Sequence, residues 1–235
     1  VSANDLTLYD RHARSWWDDD HAFARSLREV NRLRLLLVRQ RLAGRLHGLT
    51  VVDIGCGGGL FAEPLAGDGA HVLGLDLSAA SLTAAVAHAP APAPAYLRGD
   101  ARRVPLAEGC AGLVLCADLL EHVEDWRAVL AQAARLLRQG GELFVSTVNA
   151  GWRARLLVVT LGEGLGLVPR GTHDAARFIS PQSLIAAAAA LGLECSGRAG
   201  LVPNLWRTAL SLRLSMRIGV SEAVEYALWL RRPPE

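Results

Sequence analysis

The sequence predicts an α/β fold built on a doubly wound parallel sheet, and three observations carry that prediction. Short β-branched runs alternate with helix-patterned segments from Leu49 onward, the signature of parallel strands joined by crossover helices. A glycine cluster, Gly55-Cys56-Gly57-Gly58-Gly59, follows the first of these runs directly. An acidic residue, Asp76, closes the second run about 20 residues further on, the spacing of a nucleotide crevice.

Each element has a local reason. Leu49 to Ile54 is apolar and β-branched and reads as the first strand, with a helix from Leu60 to Ala66 after the glycines. His71 to Leu75 is the second strand, and Ser78 caps a helix through Ala87 by offering its hydroxyl to the free amides. The linker Ala89 to Pro94 alternates alanine and proline, which excludes a helix there. Tyr96 to Gly99 and Ala111 to Cys116 are the third and fourth strands. Trp126 to Arg138 places Val129, Leu130, Ala133, Leu136 and Leu137 on one helical face, Gly140-Gly141 stops it, and Glu142 to Val148 is the fifth strand. Ser180 and Pro181 open an alanine-rich helix to Leu191. Glu194 to Leu201 and Ala223 to Leu230 pair as a late hairpin. The resulting division is an N-terminal helical cap (1–46), a ligand-binding core (47–148), an insertion after the fifth strand (149–180) and the C-terminal part of the sheet (181–235).

Composition excludes several functions. With 51% hydrophobic and 20% charged residues the chain can bury a core. Its net charge of +2 gives no broad basic face for nucleic acid. All 25 basic residues are arginine, so a phosphate-loop lysine, a Schiff-base lysine and a lysine base are excluded together. The four cysteines, Cys56, Cys110, Cys116 and Cys195, have no zinc-ligand spacing and read as reduced thiols. The polar, acidic start shows no secretory pattern, which places the chain in the cytoplasm, at most peripheral at an inner membrane face. The longest apolar stretch, Leu156 to Pro169, is broken by Gly162, Glu163, Gly164 and Gly166 and falls short of the about 20 residues a span needs.

The glycine loop lets a ligand approach the backbone closely, and a carboxylate at Asp76 can hold both ribose hydroxyls. Two residues choose between ligands. Leu60 stands where a dinucleotide fingerprint wants its third glycine, and Asp53 ends the strand with a charge. A carboxylate repels a pyrophosphate but favours an ammonium or sulfonium, so a cationic nucleotide ligand fits better.

The loop Asp53-Ile54-Gly55-Cys56-Gly57-Gly58-Gly59, the acid in Gly74-Leu75-Asp76-Leu77-Ser78 and the segment Gly99-Asp100-Ala101-Arg102-Arg103 resemble those of class I S-adenosylmethionine-dependent methyltransferases. That resemblance implies a Rossmann-like sheet of seven strands with the last antiparallel. It also implies cofactor contacts from Asp53, Gly55, Gly57, Asp76 (ribose), Asp100 and Ala101 (adenine) and Ala117, with S-adenosyl-L-homocysteine as product. Further segments, ARSWWD (13–18), NRLRLLL (31–37), DLLEHVED (118–125), STVN (146–149), VPRGTHD (168–174), RFISP (177–181) and GLVPN (200–204), are similar to the bacterial ubiquinone-biosynthesis O-methyltransferases, in the same order from Tyr9 to Leu230. In that family the arginine at the position of Arg34 reaches the methionine carboxylate, a role a guanidinium fork suits. On its residues alone Arg34 reads as part of a solvated helix face.

A methyl transfer to a phenol of pKa about 10 requires a proton acceptor at neutral pH. Asp118, Glu121 and His122, spaced i, i+3, i+4, would share one side of a helical turn and serve either as base or as ligands of a divalent cation. The family carries Glu-x-x-Glu-His there and holds magnesium or a similar ion, whereas this chain has the shorter Asp118. The competing reading is a capping box from Asp118 and Glu121. His173 in Gly171-Thr172-His173-Asp174 is a second proton-acceptor candidate, on a segment that in the family closes over the substrate. Trp152, Arg153, Arg155 and Arg170 flank the apolar stretch of the insertion, which fits equally a lid and a helix lying in a membrane interface. Trp16 and Trp17 line a substrate pocket or, as paired aromatics near a terminus more often do, anchor it by packing. The expected function is O-methylation of a phenol or catechol hydroxyl on a small aromatic, prenylated quinone precursor. Its rivals are a tailoring methyltransferase with another oxygen, nitrogen or carbon acceptor, a non-catalytic cofactor-binding subunit and a dinucleotide oxidoreductase.

Overall fold

The computed structural model describes residues 10–18, 20–164, 171–211 and 213–234. Tyr9 and the Gly166, Val168, Pro169 and Arg170 named above lie outside them. Among the described residues eight strands form one sheet in the order β3-β2-β1-β4-β5-β8-β6-β7. They are β1 (Thr50–Ile54), β2 (His71–Asp76), β3 (Ala95–Arg98), β4 (Ala111–Ala117), β5 (Leu137–Val148), β6 (Glu194–Pro203), β7 (Met216–Gly219) and β8 (Glu225–Arg231). The first five pair in parallel, and β8 runs antiparallel to both β5 and β6.

Period-two alternation splits each strand between two cores. Val52, Ile54, Val114, Cys116, Leu143 and Val145 face α4 (Trp126–Leu136) and α6 (Pro181–Ala189), where Leu130, Ala133 and Leu184 meet them. Val51, Leu113, Leu115, Phe144 and Trp229 face α1 (Ala22–Arg41) and α2 (Ala62–Gly67), through Leu35, Val38 and Leu65. The predicted caps form. Ser78 accepts the Ser81 amide at 3.0 Å to start α3 (Ala79–His88), and Ser180 accepts that of Ser183 at 3.1 Å.

Three features differ from the sequence prediction. An eighth strand, β7, lies antiparallel along β6 at the sheet edge, because Met216 and Ile218 pack with Val30, Leu33 and Leu201. The late segments do pair, but α7 (Leu205–Ser211) and β7 separate them, so they are no hairpin. The helix before Gly140-Gly141 stops at Leu136, and the glycines fall inside β5. A Cβ at Gly141 would lie 2.8 Å from the Arg138 carbonyl oxygen, a close backbone approach that glycine permits.

Phe144 is fully buried between Phe61 and Trp229, with ring centroids 6.0 and 5.0 Å away. Replacing it with alanine is expected to cost about 3–5 kcal/mol in urea unfolding, as for other buried aromatic truncations. A loss below about 1 kcal/mol would show that this centre of the sheet is not tightly packed.

Candidate active site

The carboxyl ends of the parallel strands open on one side of the sheet, and β1 and β4 sit side by side where the strand order reverses. Ligands of open α/β sheets bind at such a switch point. The glycine loop leaves β1 there. Gly55, Gly57 and Gly59 have φ of +77°, +51° and +83°, values that side-chain-bearing residues rarely adopt. The Gly57 amide donates to Asp76 Oδ2 at 2.8 Å and the Ser78 amide to Asp76 Oδ1 at 2.8 Å, so the carboxylate at the end of β2 is locked beside the loop. Asp53 is buried beneath it, and its Oδ2 has no hydrogen-bond partner. Burial, with Asp76 adding repulsion, pushes Asp53 up to about 7.

Two tryptophans pack on this loop. A Cβ at Gly58 would come within 2.3 Å of Trp16, so glycine there makes room for the indole. Trp16 Nε1 donates to Ser81 Oγ at 3.2 Å and Trp17 Nε1 to the Gly58 carbonyl at 2.9 Å, while Trp17 stacks on His88 at 3.7 Å.

The other wall is ionic. Arg34, only 3% exposed, projects from α1 and donates both terminal nitrogens to Asp118, one of them at 2.6 Å, and one also to Glu225 on β8. Burial opposes its charge, but the two carboxylates outweigh burial and hold it protonated. Asp118 follows β4 with φ +49°, and Leu120–His122 is a 3-10 turn rather than an α-helical one. Glu121 is buried and accepts Thr147 Oγ1 at 2.8 Å, while its Oε1 has no partner. Burial first, then Asp118, raises its pKa. His122 and His173 meet with ring centroids 5.6 Å apart. Burial, then His173, drops His122 to about 4, and burial also lowers His173 against the pull of Asp118 and Glu163. Both imidazoles are therefore neutral at pH 7.

The methyltransferase-domain family model matches residues 52–145. A ubiquinone biosynthesis O-methyltransferase from Thiobacillus denitrificans is 40% identical over 208 residues, covering 87% of this chain and 88% of its own length. One from Ralstonia nicotianae is 36% identical over 233 residues, covering 97% and 94%. The chain belongs to the ubiquinone biosynthesis O-methyltransferase family. It is an S-adenosylmethionine-dependent O-methyltransferase. Magnesium protoporphyrin IX methyltransferase from Synechocystis, solved with bound S-adenosylhomocysteine, shares the fold with a TM-score of 0.70 at 20% identity over 96% of this chain and 94% of its own.

Most of the predicted site residues of this methyltransferase gather at the carboxyl end of the parallel strands. Arg34, Asp53, Gly55, Gly57, Asp76, Ala117, Asp118, Glu121 and His122 lie on α1 or at the ends of β1, β2 and β4, and His173 joins them from the insertion. Asp100 and Ala101 follow β3; Arg102 holds the Asp100 carboxylate and, ahead of burial, lowers its pKa. The solvated-face reading of Arg34 is overturned by its burial and its two carboxylates. The capping-box reading fails as well, since Asp118 turns to Arg34 and Glu121 to Thr147, and no side chain caps the 3-10 turn. Nor do Asp118, Glu121 and His122 fit a divalent cation as arranged. Both Asp118 oxygens face a guanidinium, and among the described residues no three His, Cys, Asp or Glu side chains group to hold a metal. Sequence reasoning missed Glu225, Thr147 and Glu163. Glu225 did leave a trace, as the one acid inside the apolar run Val224 to Leu230.

Asp53 makes the stability of the enzyme pH-dependent. Its folded pKa of about 7 lies above the model-peptide value of 3.8, so the folded state binds the proton more tightly and stability falls as pH rises from 4 to 7. Glu121 and Glu225, also raised mainly by burial, add the same sign. Denaturant titrations from pH 4 to 8 are expected to show a shallower decline for Asp53→Asn than for the parent; parallel curves would rule out titration of Asp53 in this window.

Proposed function

We propose that the enzyme methylates a phenol or catechol hydroxyl of a small aromatic, prenylated quinone precursor, with the neutral His122–His173 pair as proton acceptor. The observation that carries this reading is that pair, two imidazoles kept uncharged by burial in a chain without lysine. When bound, S-adenosylmethionine supplies a methyl group already activated as a sulfonium. The crevice suits it: the unpartnered Asp53 Oδ2 offers an acceptor for the cofactor ammonium, and Asp76 one for the ribose. Arg34 meets the cofactor carboxylate by giving up one of its own two. Asp118, with a side chain 27% exposed against 10% for Glu225, is the one to leave.

In this reading His122 and His173 take the hydroxyl proton as the oxygen–carbon bond forms and the carbon–sulfur bond breaks, supported by their mutual contact and burial. Glu121 is held towards its neutral form and bonded to Thr147, so it shapes the pocket rather than accepting the proton. Methyl transfer from labelled S-adenosylmethionine to a prenylated catechol tests the reading. His122→Ala and His173→Ala are each expected to lower kcat by about 10²-fold or more with cofactor affinity retained. Activity should survive EDTA. A loss that magnesium restores would mean that Asp118, once released from Arg34, binds an ion, and would overturn the histidine-only account.

The insertion supports peripheral membrane contact as part of the same proposal. Its helix, α5 (Trp152–Ala154) continued by a π-helical stretch (Arg155–Glu163), packs Ala154, Val158 and Val159 against Val148 and Phe178. It turns outward Trp152, 71% exposed, with Leu156, Leu161, Arg153 and Arg155. An apolar face edged by arginine suits an anionic bilayer surface. No helix among the described residues is long and apolar enough to cross a membrane. Trp152→Ala with Leu156→Ala is expected to reduce co-flotation with anionic vesicles several-fold while leaving transfer to a water-soluble catechol unchanged; equal flotation would remove this face from the proposal.

A further inference from the structure

We propose that Glu163 is a positioning residue that orients His173 as the proton acceptor of the methyl transfer, a step that rests on the reading of His173 given above. Glu163 ends the π-helical stretch of the insertion and is 9% exposed. A buried carboxylate needs partners, and those of Glu163 come from the turn that carries the histidine. Its Oε2 accepts the Gly171 amide at 2.8 Å and its Oε1 the His173 amide at 3.1 Å. Gly171, at φ +80°, takes the left-handed conformation that aims neighbouring amides at one anion.

The same Oε1 lies 3.6 Å from His173 Nδ1, and that nitrogen is buried with no hydrogen-bond partner. At this distance the pair is a close polar contact, short of a hydrogen bond. Contacts of this kind tighten when an acceptor closes the site. Beyond it the His173 ring is fixed between His122 and Phe178, 5.6 and 6.2 Å away between centroids. A carboxylate at Nδ1 favours the tautomer protonated there and leaves Nε2 bare. The hydroxyl proton then passes to Nε2, the oxygen takes the methyl, and the imidazolium formed stands beside the Glu163 charge. The helix that packs against Phe178 thus carries, at its far end, the group that sets the chemistry of His173.

The test uses Glu163→Gln, which keeps the shape and one acceptor oxygen, in the parent and in a His173→Ala background. In the parent kcat is expected to fall at least tenfold with the KM for S-adenosylmethionine unchanged. The nitrogen-15 shifts of His173 should move from a dominant Nδ1–H tautomer to a mixture. In the His173→Ala background the same change should add no further loss, because the two residues act as one unit. Glu163→Asp, which retains the charge, should recover part of the rate and supplies the reading if the glutamine variant does not fold. An equal loss in both backgrounds, or an unmoved tautomer, overturns the proposal while leaving His173 as acceptor. His173→Ala at the parent rate overturns the acceptor reading itself, and the proposal with it.

Discussion

A guanidinium buried between two carboxylates is the constraint on which the site depends. Arg34 comes from the N-terminal helix, Asp118 from the end of β4 and Glu225 from the antiparallel strand β8, so one cation ties three distant parts of the chain together. Removing one partner from such a group leaves a charge in low dielectric, a loss typically of about 3–5 kcal/mol. The cluster explains why the crevice tolerates so many acids. Asp118 is neutralised by Arg34, while Glu121 and Asp53 are pushed by burial towards their protonated forms. The negative charge gathered at this end of the sheet is thereby partly compensated.

The loop side works by shape instead. Positive φ at Gly55, Gly57 and Gly59 folds the backbone into a cradle, and Gly58 makes room for Trp16. Trp17 adds a hydrogen bond to the same loop and a stack on His88, which in turn pairs with the buried Glu63 at 2.8 Å. The N-terminal residues thereby pack on the glycine loop, though they lie outside the alternating pattern that defines the sheet. Of the two readings of the tryptophans, the packing bears out the anchor, since both indoles hold the terminus against the glycine loop.

What was legible in the sequence was what local periodicity and local chemistry control. The strands and crossover helices, the glycine loop with Asp76, and the hydroxyl caps at Ser78 and Ser180 all follow from neighbours a few residues apart. Pairings across long separations were hidden. Nothing near Arg34 in the sequence distinguishes a solvated helix face from a cation shared with Asp118 and Glu225. The turn after β4 was misjudged for a related reason. A spacing of i, i+3, i+4 presumes α-helical geometry, yet the pull of Arg34 on Asp118 accompanies a left-handed backbone there and a 3-10 turn after it. β7 escaped notice because a four-residue edge strand has too few alternations to read, and packing of Met216 and Ile218 against α1 defines it.

Glu163 shows how the same residue changes meaning with scale. In the sequence it interrupts an apolar run and so argues against a membrane span, which is sound physics for an isolated segment. In the fold that interruption is buried, and its carboxylate is filled by the backbone of the turn bearing His173. The apolar residues around it divide accordingly. Val158 and Val159 close onto Val148 and Phe178, whereas Trp152, Leu156 and Leu161 face outward. A single insertion therefore presents an apolar face outward and holds the turn bearing His173 inward. The acid joins the two roles, because an apolar side chain at position 163 would leave the Gly171 and His173 amides without their acceptor.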